Sequence, residues 1–330
     1  MLGPTHLLPW APLWLAAALW LALLVDRWLG EPPARWHPVV WIGHYLGWVG
    51  RWLAPQRTQP GAVDYPRFWL GALAWCAGGA LVLIVSIVLQ TLLLSWHPLL
   101  GVVVLGLLLK PLLAWRMLRD EVLAVERALD ESLAAGRERL AWLVSRDVSA
   151  LSEAEVRESA IESLAENLND SVVAPLFWFL LLGLPGAALY RFANTADAMW
   201  GYRGVYRGQE WEWAGKWAAR ADDVLSWLPA RLTALLLALV RGGLSLRALR
   251  TEAARTPSPN SGWPMAAMAL ALGVGLRKPG VYVLHAPGRA PQAADTAQAL
   301  RYAKKSVLAL AVLVSTALFL IALWSGRVVP

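Results

Sequence analysis

At 330 residues, with 58% hydrophobic and only 16% charged residues and a mean hydropathy of +0.47, the chain is more apolar than soluble domains, in which about a quarter of residues are charged. A lone cysteine, Cys76, excludes both a disulfide framework and a cysteine metal site. The formal charge of +7 comes from Lys and Arg residues scattered between apolar runs, which is a membrane distribution and not a nucleic-acid surface.

Four runs are long enough to cross a hydrocarbon core, which takes roughly 20 mostly apolar residues in a helix. They are 10–25, 69–94, 98–115 and 306–324. Met1–Pro9 holds no Lys or Arg, so the first run lacks the basic flank of a signal peptide and is expected as a retained membrane helix. Trp10, Trp28, Trp69, Trp96, Trp115 and Trp324 sit near run ends, where indole rings prefer the headgroup level. Asp26 closes the first run; an ionisable group there faces protein or a cavity, and Arg27 and Arg35 are the nearest counter-ions in sequence. His37, before Pro38, reads as structural, and Cys76 as a buried small hydrophobe.

With the N-terminus outside, residues 26–68 and 116–305 lie inside and Ser95–Pro98 forms an outer turn. Of the 30 Lys and Arg residues only Arg327 is then outside. Residues 172–190 (VVAPLFWFLLLGLPGAALY) would carry Arg203, Arg207, Lys216 and Arg220 out if they crossed alone. With Pro175, Gly183, Pro185 and Gly186 they are expected as a re-entrant or protein-covered hairpin, because broken backbone at membrane depth needs protein around it. Residues 228–240 are short for a span and read as a partly buried helix; a paired crossing by both segments is the alternative. Residues 281–300 read as a surface loop. The expected fold is all-α and polytopic, a single domain with about four to six membrane helices. Its parts are N-terminal membrane helices (1–118), a cytoplasmic-side helical catalytic region (119–305) and a last membrane helix (306–324).

The chemistry concentrates in five polar stretches. Ser152 and Glu155 have capping-box spacing, which predicts a helix from Ser152 to about Asn169. On it Glu158, Glu162, Glu166 and Asp170 recur every four residues on one broad face. No Lys or Arg stands four residues on from Glu158, Glu162 or Glu166, Asn167 and Asn169 add neutral ligands, and the stripe runs into an apolar segment. Repelling carboxylates of this kind suit a hard cation such as Mg²⁺, held together with substrate phosphates at Glu162, Glu166 and Asp170. A second set is Asn194, Thr195, Asp197, Tyr202 and Arg203; a third is Arg220, Asp222, Asp223 and Arg231. The fourth is the turn Ser258–Gly262 with Asn260, and the fifth is DRWLGEPPARWHPVVWIGHYLG at 26–47. No P-loop, dinucleotide fingerprint, HExxH pair or GxSxG elbow occurs.

Taken together, these stretches resemble the adenosylcobinamide-phosphate synthase family of cobalamin biosynthesis, called CbiB or CobD. The likeness rests on DRWLGEPPARWHPVVWIG (26–43), SRD (145–147), ESLAENLNDSVVAPLFW (162–178), NTADAMWGYR (194–203), AARADDVLSWLPARLTALL (218–236) and SPNSGWPMAAMALALGV (258–274), in order along nearly the whole chain. Ala196, Val148 and Arg277 depart from the family pattern. The resemblance implies an inner-membrane ligase, working on the cytoplasmic side, that joins aminopropanol or its phosphate to the propionate carboxylate of adenosylcobyric acid. ATP is the implied co-substrate, with Mg²⁺ as cofactor.

In that chemistry Glu166 and Asp170 serve at the reacting phosphoryl group, and Arg146, Arg203 or Arg220 clamps it. Asn194 and Asn260 bind beside it, and Asp197 or Asp222 takes the proton of the amine. Trp178, Trp200 and Tyr202 would pack on the corrin. Membrane lipid and other corrinoid-pathway membrane enzymes are the implied partners, without nucleic acid. Two other classes compete. A Mg²⁺-dependent membrane prenyltransferase would need paired DxxxD clusters, and an AmpE-like non-enzymatic sensor would have lost the acidic and amide positions.

Overall fold

Glycine, proline and polar breaks cut the apolar chain into helices, and the computed structural model describes residues 11–57, 61–96 and 98–328. Met1–Pro9, Trp10 and part of the Ser95–Pro98 turn lie outside the described residues. The elements run α1 (Ala11–Leu29), a 3₁₀ turn (Ala34–Trp36), α2 (Pro38–Leu53), α3 (Tyr65–Trp96), α4 (Pro98–Leu109) and a second 3₁₀ turn (Lys110–Leu112). Next come α5 (Trp115–Glu131), α6 (Leu133–Leu140), α7 (Glu153–Leu168), a π turn (Asn169–Val173), α8 (Ala174–Leu182) and α9 (Leu184–Trp200). The hairpin β1 (Val205–Tyr206) and β2 (Gln209–Glu210) precedes α10 (Lys216–Arg241), α11 (Leu246–Ala253) and α12 (Gly262–Leu272). A second hairpin, β3 (Leu276–Lys278) with β4 (Tyr282–Leu284), leads to α13 (Ala293–Val328).

Five helical stretches among the described residues are long and apolar enough to cross a membrane: Pro12–Leu29, Tyr65–Ser95, Leu99–Glu131, Lys216–Arg241 and Ala293–Trp324. The protein is thus an all-α polytopic membrane protein, as its composition requires. Run 98–115 is not one unbroken helix. Pro111 lacks the N–H that would continue α4, so the chain turns at Lys110–Leu112 before α5 starts. Residues 228–240 are the second half of α10, so the expectation of a short helix is corrected. Pro229 does not end α10, because the carbonyl it leaves unbonded, Leu225 O, accepts instead from Trp178 Nε1 at 3.0 Å. Cys76 is exposed on α3 and not buried. Its neighbours Leu73, Leu81 and Ile84 are exposed too, a face that suits hydrocarbon and not a packed core.

The chain forms two compact units, each built from separated segments. One comprises 1–113, 174–225 and 314–330. In it, α1 packs on α4, and the indole of Trp20 donates to Ser315 Oγ of α13 at 2.9 Å. α2 and α9 are joined by Trp200, whose Nε1 donates to Leu46 O at 3.1 Å and whose ring stacks on Trp211. Gly50 admits that indole: a Cβ there would lie 2.9 Å from Trp200 Nε1. Residues 172–190 make a helical hairpin, as their Pro and Gly content predicts. α8 is about 13 Å long, well short of a bilayer core of roughly 30 Å, and α9 packs back along it. Gly183 makes the reversal with φ +67, a conformation that costs only glycine little, and Leu184 N is capped by Gln90 Oε1 at 2.7 Å.

The other unit comprises 114–173 and 226–313. α5 buries Trp115, Leu118, Val122, Val125 and Leu129 at helical spacing against α6 and α7. Trp115 therefore leaves the expected belt for the core, while Trp28, Trp69 and Trp324 are exposed. α7 packs against α5, α12 and β3, so almost every residue from Val156 to Leu168 is buried.

Candidate active site

α7 carries the acidic stripe into this second unit. Ser152 accepts from Glu155 N while the Glu155 carboxylate accepts from Ser152 N at 2.8 Å, the reciprocal cap predicted from spacing. The stripe then divides. Glu158 and Glu162 are 0% and 6% exposed, whereas Glu166 and Asp170 are half-buried.

Counter-ions that helical spacing does not supply arrive from distant residues. Arg277 meets Glu158 twice, its backbone N–H at 3.0 Å from Oε2 and its guanidinium at 3.2 Å from Oε1. Arg277 thus answers a fully buried carboxylate. The Tyr282 hydroxyl donates to Glu162 Oε1, and Arg146 Nη2 stands 3.8 Å from Glu162 Oε2. Burial pushes both carboxyls above the ordinary range, against the opposing pull of Arg277 on Glu158 and of Tyr282, Arg146 and Lys278 on Glu162. Burial, then the Glu162 charge, raises the Tyr282 hydroxyl, so it remains a donor at neutral pH. Because folding raises the Glu162 pKa, its contribution to stability is full below the ordinary value of 4.5 and is lost as pH rises. Glu162→Gln is therefore expected to gain thermal stability relative to the native protein as pH climbs from about 4.5 to 7. Melting in detergent across that range checks it, and a constant difference would refute it.

Arg146 is the cation of the site. Its Nη2 donates to Ser159 Oγ at 2.7 Å, while Nε and Nη1 are shielded from solvent and meet no acceptor among the described residues. Buried donors in this state cost about 1–3 kcal/mol each, a cost that an anion bound there would offset. The side chain is 22% exposed, which lets rotation about its own bonds present that edge to a ligand.

The π turn after α7 sets Asp170. Such single wide turns often accompany functional sites. Asn169, 2% exposed, donates from Nδ2 to Asp170 Oδ1 at 2.7 Å, and its Oδ1 accepts from the buried Thr233 hydroxyl at 3.0 Å. Thr233→Val leaves Asn169 Oδ1 without that donor. A loss of about 1–3 kcal/mol is expected, read as a lower melting temperature in detergent.

Among the described residues no three His, Cys, Asp or Glu side chains converge as a metal cage. The expected trio of Glu162, Glu166 and Asp170 is not assembled, because Glu162 turns toward Tyr282 and Arg146. Glu166 and Asp170 fit a Mg²⁺ that enters on phosphates, since that ion takes one or two carboxylates and keeps several waters. Asn260, expected at a ligand, is 4% exposed, and its Oδ1 accepts from Arg231 Nη1 at 2.6 Å. It orients Arg231, whose guanidinium lies over the rings of Trp227 and Trp263.

The remaining expected residues belong to the first unit. Asn194 Nδ2 donates to Asp222 Oδ1 at 3.5 Å, joining α9 to the start of α10. Asp197 lies over Gly201, whose added Cβ would fall 1.9 Å from its Oδ1. Arg203 and Arg220 are exposed. Trp200 is 1% exposed and cannot lie against a corrin, whereas Tyr202 is half-buried and stacks on Tyr206.

Asp26 pairs with Lys110 at 3.4 Å, which the sequence reading, looking to Arg27 and Arg35, missed. His37 is structural: Nδ1 accepts from Val39 N at the start of α2, and Nε2 lies 3.1 Å from Glu31. Reading 281–300 as a loop also missed Tyr282. The β-branched and aromatic run Val281–Leu284 after Lys278-Pro279-Gly280 was the signal for a hairpin.

The CobD/Cbib protein family model matches residues 19–314. A probable cobalamin biosynthesis protein CobD of Methanothermobacter thermautotrophicus is 41% identical over 278 residues, covering 82% of this chain and 87% of the relative. The counterpart so described in Pyrococcus abyssi is 42% identical over 86% of this chain and 89% of its own length. The cobalamin biosynthesis protein CobD of Chromobacterium violaceum is 46% identical, with 78% and 79% covered. No solved structure matches. With a family match over most of its length and relatives this similar, the chain belongs to the CobD/CbiB family.

Proposed function

We propose that this protein acts in cobalamin biosynthesis as an ATP-dependent ligase. It joins the propionate carboxylate of adenosylcobyric acid to the amine of aminopropanol or aminopropanol phosphate, at the cytoplasmic face of the inner membrane. The naming of its relatives supports the pathway, and the unsatisfied edge of Arg146, in the same unit as Glu166 and Asp170, is the observation on which the chemistry rests.

A carboxylate is a poor acyl donor, because it lacks a good leaving group. Its oxygen first attacks the terminal phosphorus of ATP, and ADP leaves. The amine then attacks the carbonyl carbon of the acyl phosphate, phosphate leaves, and the amine proton passes to a base. Mg²⁺, when bound, neutralises charge on the phosphates. Arg146 accepts the developing charge of the transferring phosphoryl oxygens on donors already shielded from water, where such bonds count most. Glu166 and Asp170 hold the cation, with Asp170 fixed by the Asn169–Thr233 pair. Asp197 and Asp222 are the proposed bases, with Asp222 oriented by Asn194. Arg203 and Arg220 are the further proposed phosphate contacts.

The test supplies the detergent-solubilised full chain with adenosylcobyric acid, Mg-ATP and either amine, and looks for the amide by mass. Amide and ADP in equal amounts are expected. Folded protein that binds the corrinoid yet makes no amide with either amine would overturn the reading.

A further inference from the structure

Glu162 and Arg146 stand side by side without bonding. Glu162 Oε2 is 3.8 Å from Arg146 Nη2, beyond hydrogen-bond reach, and accepts no hydrogen bond among the described residues. A guanidinium and a carboxylate in contact normally close to about 2.8 Å, often through two parallel bonds. Here a hydroxyl draws each partner aside. Ser159 Oγ accepts from Arg146 Nη2 at 2.7 Å, and the Tyr282 hydroxyl donates to Glu162 Oε1. Because the two charges are kept from closing on each other, Nε and Nη1 of Arg146 are not consumed inside the protein.

Tyr282 is fixed from outside α7. Strand β3 packs on α7 and β4 on α12, Leu276 and Leu284 are fully buried, and the Tyr282 hydroxyl lies 3.8 Å from Met265 Sδ of α12. Arg277 of the same hairpin holds Glu158, one turn before Glu162, through its backbone N–H and its guanidinium. The hairpin thus answers two successive buried acids of the stripe. An anchored ring, and not a long flexible side chain, sets where the Glu162 carboxylate points.

We propose that Tyr282 is a positioning residue for ATP: it holds Glu162 back so that Arg146 stays open to the phosphates. The proposal rests on the reading of Arg146 as a phosphate contact. Without the hydroxyl, a carboxylate only 6% exposed has lost its donor, and the guanidinium beside it takes over after a shift of about 1 Å. That pair occupies donors and cancels charge that the phosphates need. Glu162 therefore opposes anion binding, the reverse of what a carboxylate holding Mg²⁺ does.

The experiment measures binding of the non-hydrolysable analogue AMP-PNP with Mg²⁺ to the detergent-solubilised full chain by calorimetry, beside kcat and KM for ATP read from amide mass. Tyr282→Phe is expected to weaken AMP-PNP about 10-fold, the scale of one charge-assisted hydrogen bond. Its KM for ATP should rise in step while kcat stays within about twofold of native. Glu162→Gln is expected to bind AMP-PNP at least as tightly as the native chain, since it removes the competing charge. Adding Glu162→Gln to Tyr282→Phe should restore native affinity, which a tyrosine with a merely structural role would not allow. Native affinity in Tyr282→Phe would overturn the proposal, as would a loss that Glu162→Gln fails to restore. Arg146→Ala separates the two levels. If it weakens AMP-PNP while Tyr282→Phe does not, Arg146 remains the phosphate contact and only the role of Tyr282 falls. If Arg146→Ala binds AMP-PNP as the native chain does, both readings fall.

Discussion

Arg146→Ala is expected to lower the rate of amide formation about 10²–10³-fold, the usual cost of removing one preorganised donor from developing charge. The change deletes one partly buried hydrogen bond, to Ser159 Oγ, and a weak approach to Glu162, so the loss of stability stays small beside the loss of rate. Arg146→Lys restores charge without the planar fork, and recovers only part of the rate if Nε and Nη1 both engage the ligand. Ser159→Ala separates the two roles, because it frees Nη2 and leaves the other two donors as they are. Rates measured by amide mass at saturating ATP decide the matter. If Arg146→Ala keeps kcat and the KM for ATP within about twofold of the native values, far from the loss expected of a clamp, Arg146 is structural.

Glu166→Gln and Asp170→Asn are each expected to abolish turnover, by about 10³-fold or more, while membrane insertion is kept. A cation on phosphates contributes several kcal/mol to a charged transition state, and each decade of rate corresponds to about 1.4 kcal/mol. Both side chains are half-buried, so neither substitution leaves a fully desolvated group behind. Mg²⁺ titration provides the independent reading. Residual activity in either variant should need more Mg²⁺ than the native chain, whereas Thr233→Val should show a milder shift in the same direction, since it acts through Asn169 on Asp170. Full activity of both carboxylate variants at native Mg²⁺ would remove the metal from the proposal.

Where periodicity was long and strong, the linear chain was a sound guide. Composition alone required a polytopic helical protein, Ser152 and Glu155 marked the start of α7, and Pro175, Gly183, Pro185 and Gly186 marked a helical hairpin. The failures share a cause. Lys110 on Asp26, Arg277 on Glu158, Tyr282 on Glu162 and Thr233 on Asn169 join residues between 64 and 120 positions apart. Local spacing carries no information about such partners. The carbonyl that Pro229 leaves unbonded within α10 is likewise met from another helix, by Trp178.

The sequence by itself determined the fold class, the helix carrying the acidic stripe and the family, because hydropathy, capping and motif order are all local properties of the chain. Only the tertiary structure decided which of four evenly spaced carboxylates are buried and which keep a face toward solvent. Glu158 and Glu162 are buried and must be answered by protein groups, since an uncompensated buried charge is too costly to keep. Glu166 near the end of α7 and Asp170 in the π turn that follows stay only half-buried.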